Sequence, residues 1–240
     1  ILKMADGIMV ARGDLGVEVP AEDVPLIQKE IIKKCKDKGK LVITATQMLE
    51  SMQQNPRPTR AEVSDVANAI FDGTDAIMLS GESASGKYPE EAVMTMNKIA
   101  LKTEGSLDYD SLHRQAVRTA PQDTSEAVCM SVAEIASKFN VAAIIAFTES
   151  GFTARKMSRY RPKSLIIAAT PEEKTTRSLA VNWGVLPVKC KYMQTRATMI
   201  EYAEILAKEN GIEPGQLILV TGGKPGIGGD TSYLELIKVK

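Results

Sequence analysis

The chain has 240 residues, 44% of them apolar, with 30 basic against 30 acidic side chains. That length supports a sizeable core in one large or two medium domains, and the balanced charge excludes general nucleic-acid binding and a basic membrane face. No apolar run reaches membrane-spanning length and no secretory leader opens the sequence, so no nucleic acid and no membrane are expected as partners and the expected location is cytoplasmic.

Three short apolar runs, at residues 7–10, 41–45 and 75–79, recur at an even interval of 34 residues. Between the first two, Val24, Ile27, Ile31 and Cys35 step by three or four and Gly39 supplies a stop, which predicts a helix. Residues 61–71 carry Val63, Val66 and Ile70 ahead of Gly73, and Pro89 suits the first turn of a third helix marked by Val93, Met96 and Ala100. The order is β-α-β-α-β-α, with strands apolar enough for a parallel sheet covered on both faces. Residues 104–122 are polar and weakly periodic and read as a helix end plus linker. His113 lies in it as a solvated surface residue and, being the only histidine, excludes a histidine triad or a multi-histidine metal site. Alternation then resumes with a helix carrying Val128, Val132, Ile135 and Phe139 and a strand at 142–147. A loop at 148–153 and a short helix to Tyr160 precede a strand at 165–169. A helix from Pro171 to about Val181, a strand at 185–188 and a helix at 197–209 follow. Apolar runs at 217–220 and 234–239 flank a glycine-rich loop and suit a hairpin. The expected domains are 1–103, a linker at 104–122, and 123–240. Cys35, Cys129 and Cys190 are far apart, with no paired spacing, and read as reduced thiols packed as small apolar groups.

The segment Ala11-Arg-Gly-Asp-Leu-Gly-Val-Glu follows the first strand, where ligands and metals gather in parallel α/β proteins. With it stand Thr44-Ala-Thr-Gln-Met-Leu-Glu-Ser-Met, Pro56-Arg-Pro-Thr-Arg-Ala-Glu, Ile77-Met-Leu-Ser-Gly-Glu and Arg159-Tyr-Arg-Pro. In this order and spacing they resemble the pyruvate kinase family over essentially the whole chain. The resemblance implies an α/β fold: the last three strand–helix units of a TIM-type barrel, followed by a separate α/β effector domain with a mainly parallel sheet. It implies the glycolytic transfer of a phosphoryl group between phosphoenolpyruvate and ADP, in a homotetramer that uses Mg²⁺ or Mn²⁺ together with K⁺. A catalytic lysine and a second metal-binding glutamate would lie upstream of Ile1. The chain, which does not start with Met, is therefore expected to be a piece of a longer one and inactive alone.

By that resemblance Asp14 is a ligand of the divalent ion, as its hard oxygens suit. The tetrapeptide around it reads as well as a helix N-cap. The Ala11, Gly13 and Asp14 backbone would hold the substrate carboxylate, with Arg12 and Thr46 as the catalytic candidates, Thr46 touching substrate as well. On spacing alone Thr46 is a β-branched residue finishing a strand. Ser80 would lie near the nucleotide. Arg60 would sit at a subunit interface, where the plain reading is a solvated surface charge.

In the second half, Thr148, Glu149, Ser150, Gly151 and Thr153 join hydroxyls to a helix start, which suits phosphate and is also routine capping. The resemblance makes this loop the site of a phosphorylated allosteric effector, with Lys224 of the glycine-rich loop as a point charge. That loop also reads as a plain hairpin connection. Gly223 and Lys224 stand where sugar-bisphosphate-activated relatives often carry an aromatic and an arginine, and residues 190–197 are short. Both departures leave a sugar or nucleotide monophosphate open. Trp183 reads as packing. A non-catalytic module binding phosphorylated metabolites is the alternative to the enzyme.

Overall fold

The computed structural model describes residues 1–224 and 229–240, which form two compact units, Ile1–Asp108 and Tyr109–Lys240. The first contains β1 (Gly7–Ala11), α1 (Arg12–Glu18), a 3-10 turn at Ala21–Asp23, α2 (Val24–Asp37) and β2 (Leu41–Ala45). A second 3-10 turn at Glu50–Gln53, α3 (Arg60–Asp72), β3 (Ala76–Ile77), α4 (Gly81–Ala84) and α5 (Pro89–Glu104) complete it. The sheet is parallel, in the order β1-β2-β3, with Gly7 opposite Leu41 and Ile43 opposite Ala76. The interval between the first two apolar runs is thus the strand register itself.

Val10, Val42, Ile32 and Cys35 form one core where α2 lies on β1 and β2. The buried stripe of α2 is Gln28, Ile32 and Cys35, one position round from the expected face. Gln28 can be buried because its amide donates to Asp72 on α3 at 3.1 Å. On α5 the buried residues are Ala92, Met96 and Thr103, whereas Val93 is half exposed. α3 opens on a capping box between Thr59 and Glu62 and ends on Gly73 at φ +95°, a left-handed position that glycine takes without a Cβ penalty. β3 is shorter than the apolar run because the chain turns at Ser80 into α4.

The second unit contains α6 (Tyr109–Arg118), α7 (Thr124–Lys138), β4 (Ala143–Phe147), α8 (Phe152–Arg159) and β5 (Leu165–Thr170). It continues with α9 (Glu173–Leu179), β6 (Val185–Lys189), α10 (Arg196–Glu209), β7 (Leu217–Gly222) and β8 (Tyr233–Lys238). The sheet order is β6-β5-β4-β7-β8, parallel except for the β7–β8 hairpin. β4 is central and buried throughout, the usual condition of a continuous apolar strand. Ile145 faces the layer with α10, and Ile144 faces the layer with α7 and α8. Each such side chain contributes about 2 kcal/mol by leaving water.

The segment read as a linker carries α6. Its short apolar face, Ala116 and Val117, packs on the α7 cluster. His113 is therefore not a solvated residue: it is buried, with Nε2 2.9 Å from Glu134 of α7. The helix is polar in overall composition, so it passed for a linker even though its few apolar positions recur at helical spacing.

Candidate functional site

β1 passes directly into α1, so Arg12, Gly13 and Asp14 are the first three residues of that helix. The N-cap is Ala11, with no side-chain bond, which removes the capping role considered for Asp14. Asp14 stands exposed in the first turn and makes no hydrogen bond or ion pair among the described residues.

Arg12 does not stay beside it. Its Nη2 donates to the carbonyls of Thr46 at 2.6 Å and Gln47 at 3.2 Å, and its Nη1 donates to Asp65 at 2.6 Å. Nε donates to the carbonyls of Thr46 at 3.2 Å and Ala45 at 3.3 Å. The guanidinium thus ties the end of β1 to the loop after β2. That loop needs holding, because Thr46 and Gln47 have φ of +67° and +53°. The Thr46 hydroxyl donates to the Ala45 carbonyl at 2.7 Å and accepts the Gly13 N–H at 2.8 Å. Arg12, Gly13 and Thr46 are therefore one assembly at the carboxyl end of two strands, and Thr46 is more than a strand's last residue.

Two carboxylates that sequence reasoning passed over fix the neighbouring loops. Glu82 is fully buried and accepts the N–H of Leu49 at 3.0 Å and of Ser80 at 2.8 Å, joining the ends of β2 and β3. Glu62 accepts the Ser51 N–H at 2.7 Å and the Ser51 hydroxyl at 2.6 Å while it closes the α3 cap. Burial alone would push its carboxyl up, but the four hydrogen bonds from Ser51 and Thr59 outweigh it and hold it below the usual value of 4.5. The signal available in sequence was only the Thr59-to-Glu62 spacing. Arg60 is exposed at the start of α3, unpaired among the described residues. Among the described residues no group of three acidic, histidine or cysteine side chains could enclose an ion.

In the second unit an open cleft lies over the carboxyl ends of β4, β5, β6 and β7. The chain runs from β4 to β5 and β6 on one side and returns to β7 on the other, so the cleft sits where the strand order reverses. Thr148, Glu149, Ser150, Thr153 and Lys224 all line it, although they come from two loops far apart in sequence. Gly151 is not in the lining: at φ +81° it turns the loop into α8, and a Cβ there would lie 2.5 Å from Arg155. The Glu149 carbonyl accepts the Thr175 hydroxyl at 2.8 Å, and the Thr148 N–H donates to Ala169 at 3.0 Å, so the loop is fixed from behind. Cys190 also lines the cleft, its thiol pushed up to about 11 by burial. Residues 225–228, expected in the loop closing over the effector, lie outside the described residues.

Elsewhere in this unit, Glu126 of α7 is buried with Arg159 at 3.1 Å and accepts the Tyr160 hydroxyl at 2.5 Å. Arg161 stacks on Trp183, 4.7 Å from the ring centre. The Arg-Tyr-Arg-Pro motif is thus internal structure here, and Trp183 packs as expected.

The fold defines a two-unit α/β protein whose polar groups gather at the carboxyl ends of parallel strands. Residues 1–93 match the family description "Pyruvate kinase, barrel domain" and residues 126–238 match "Pyruvate kinase, alpha/beta domain". The chain is 55% identical over 243 residues to a pyruvate kinase of Clostridium perfringens, covering all of this chain and 51% of that one. It is 53% identical to one of Staphylococcus epidermidis, covering 98% of this chain and 41% of that one. A crystal structure of a pyruvate kinase from Cryptosporidium parvum superposes with a TM-score of 0.94 at 40% identity, over all of this chain and 48% of that one. The chain belongs to the pyruvate kinase family, and it spans about half the length, or less, of these relatives.

Proposed function

We propose that this chain forms the later part of a pyruvate kinase, which moves a phosphoryl group between phosphoenolpyruvate and ADP. The observation that carries the reading is the assembly of Arg12, Gly13 and Thr46 beside Asp14, which has no partner among the described residues, at the ends of β1 and β2. Phosphoryl transfer needs placement and neutralised charge more than covalent help. Asp14 serves as one ligand of Mg²⁺ or Mn²⁺, which when bound offsets the charge of the phosphates. The described residues do not complete a cage for it, and the K⁺ ligands are not among them. The Ala11, Gly13 and Asp14 backbone faces the substrate carboxylate. Thr46 orients that edge through Gly13, and Arg12 acts by holding the loop after β2. Asp14→Asn in the full-length protein abolishes pyruvate formation from phosphoenolpyruvate and ADP while leaving the circular-dichroism spectrum unchanged. Retained turnover would sink the reading.

The second unit serves as the effector domain, with 123–240 as its extent, 104–122 as the connector and 1–103 as the barrel portion. Thr148, Glu149, Ser150, Gly151, Thr153 and Lys224 hold a phosphorylated effector. Support comes from the gathering of these groups in one cleft at the switch point of the sheet. Arg60 serves a subunit interface of a homotetramer. An unpaired cation at a helix N-terminus opposes the macrodipole, so it does nothing for its own helix. The setting is the cytoplasm, in keeping with the lack, among the described residues, of any helix long and apolar enough to cross a membrane. A second reading, a binding module without turnover, is favoured by the incomplete ion cage. Binding of phosphorylated ligands with no turnover by the 240-residue chain is its signature.

A further inference from the structure

We infer that Ser125, on the first turn of α7, is a positioning residue for the cleft: with its neighbour Glu126 it sets the distance between the two walls that receive a phosphorylated ligand. Neither residue lines the cleft itself. The inference rests on the effector reading above.

One wall is α8, whose Thr153 lines the cleft. Farther along that helix, Lys156 and Arg159 lie 3.2 and 3.1 Å from the Glu126 carboxylate, and Tyr160 donates its hydroxyl to it at 2.5 Å. The other wall is the stretch ahead of β8, whose Asp230 lines the cleft. The next residue, Thr231, donates its N–H to the Ser125 hydroxyl at 3.1 Å. The Thr153 and Thr231 hydroxyl oxygens are 2.8 Å apart, so the two walls touch.

Two adjacent residues of one helical turn thus hold both walls. That turn is itself fixed, because the Asp123 carboxylate caps it by accepting the Glu126 N–H at 2.8 Å. The two attachments differ in redundancy. Glu126 takes three side chains of the first wall, whereas the Thr231 backbone hangs on the Ser125 hydroxyl. Ser125 is 6% exposed and Thr231 0% exposed, so water does not replace that acceptor where it stands. Without the hydroxyl, the Thr231 N–H must move to find another partner. It takes Asp230 and the Thr231 hydroxyl with it, away from Thr153. A ligand held between walls of fixed spacing loses affinity when one of them has to be ordered on binding.

The test is calorimetric titration of the full chain with glucose 6-phosphate and with adenosine 5′-monophosphate, against glucose and adenosine as controls. Wild type is expected to bind a phosphorylated probe and not its control. Ser125→Ala is expected to weaken that binding about tenfold, the worth of one buried hydrogen bond. Ser125→Thr, which keeps a hydroxyl there, is expected to stay within about threefold of wild type. Ser131→Ala removes a hydroxyl bond to Ala127 on the exposed side of the same helix and is expected to leave affinity unchanged. Unchanged affinity in Ser125→Ala, or a loss that Ser131→Ala shares, overturns the inference and leaves the effector reading intact. Equal weakening in the alanine and threonine variants at 125 also overturns it, by tracing the effect to packing. Hydrogen exchange on wild type needs no variant to fold: a bound probe is expected to slow exchange of the Thr231 amide, and unchanged exchange at saturation overturns the inference. No binding of either phosphorylated probe by wild type overturns the effector reading, and the inference with it.

Discussion

Arg12 closes on the carbonyl of Thr46 at 2.6 Å, across 34 residues of sequence, and so joins the end of one strand to the loop that leaves the next. The loop it holds has two consecutive non-glycine residues at positive φ. A planar fork that reaches several carbonyls and Asp65 at once is what keeps that backbone in place. Arg12→Lys retains the charge and loses the fork. It is expected to lower stability by about 2 kcal/mol, read as a shift in the urea midpoint at unchanged slope.

Glu82 does the same for the ends of β2 and β3 from a fully buried position. Glu82→Gln turns one accepting oxygen into a donor facing an N–H. The expected cost is about 2 kcal/mol, and Glu82→Ala, which orphans both amides, costs more. Denaturant unfolding of both variants checks the order.

Glu62 makes stability depend on pH. Its carboxyl is held below the usual 4.5, so the unfolded state binds its proton first as acid is added. The stability it contributes is therefore complete above about pH 4.5 and is lost as the pH falls through the lower folded value. Glu62→Gln is expected to flatten the acid limb of the stability profile between about pH 5 and 3, measured by thermal melts. An unchanged limb would refute the assignment.

Arg159 and Glu126 are a buried pair, and Arg159 also donates to the Thr119 carbonyl at 2.6 Å. Removing one partner leaves a charge inside. Arg159→Ala is expected to cost about 3 kcal/mol, moderated by Lys156, which lies 3.2 Å from Glu126. Tyr160→Phe deletes only the hydroxyl bond to Glu126 and is expected to cost about half as much.

Burial pushes the three thiols up to about 11 or 12, so all should react slowly with iodoacetamide at neutral pH. Cys190, partly exposed in the cleft, is expected to react first, about tenfold faster for each pH unit. A phosphorylated ligand seated in the cleft should slow it. Peptide mass spectrometry reads both effects.

Strand order along the chain was legible because buried parallel strands are short apolar runs, and the spacing of the first two became their register. The Thr59–Glu62 cap was within reach of the sequence, because that bond spans one turn, but the spacing was passed over. α6 carried helical periodicity but was polar enough overall to pass for a linker, and the buried state of His113 was not legible at all. Asp14 was recognisable as a strand-end acid, but whether it capped α1 depended on where the helix began.

The sequence by itself determined the alternation of elements, the family and the residues at the strand ends, because periodicity and motif order are local properties. Only the tertiary structure decided that Arg12 grips the loop beyond β2, that Glu82 spans two loops, and that Thr231 stands against Thr153. Those partners lie roughly 30 to 80 residues apart. They meet because, within each unit, sheet order and register bring distant loops together, where a buried polar group must find whatever partner the fold presents.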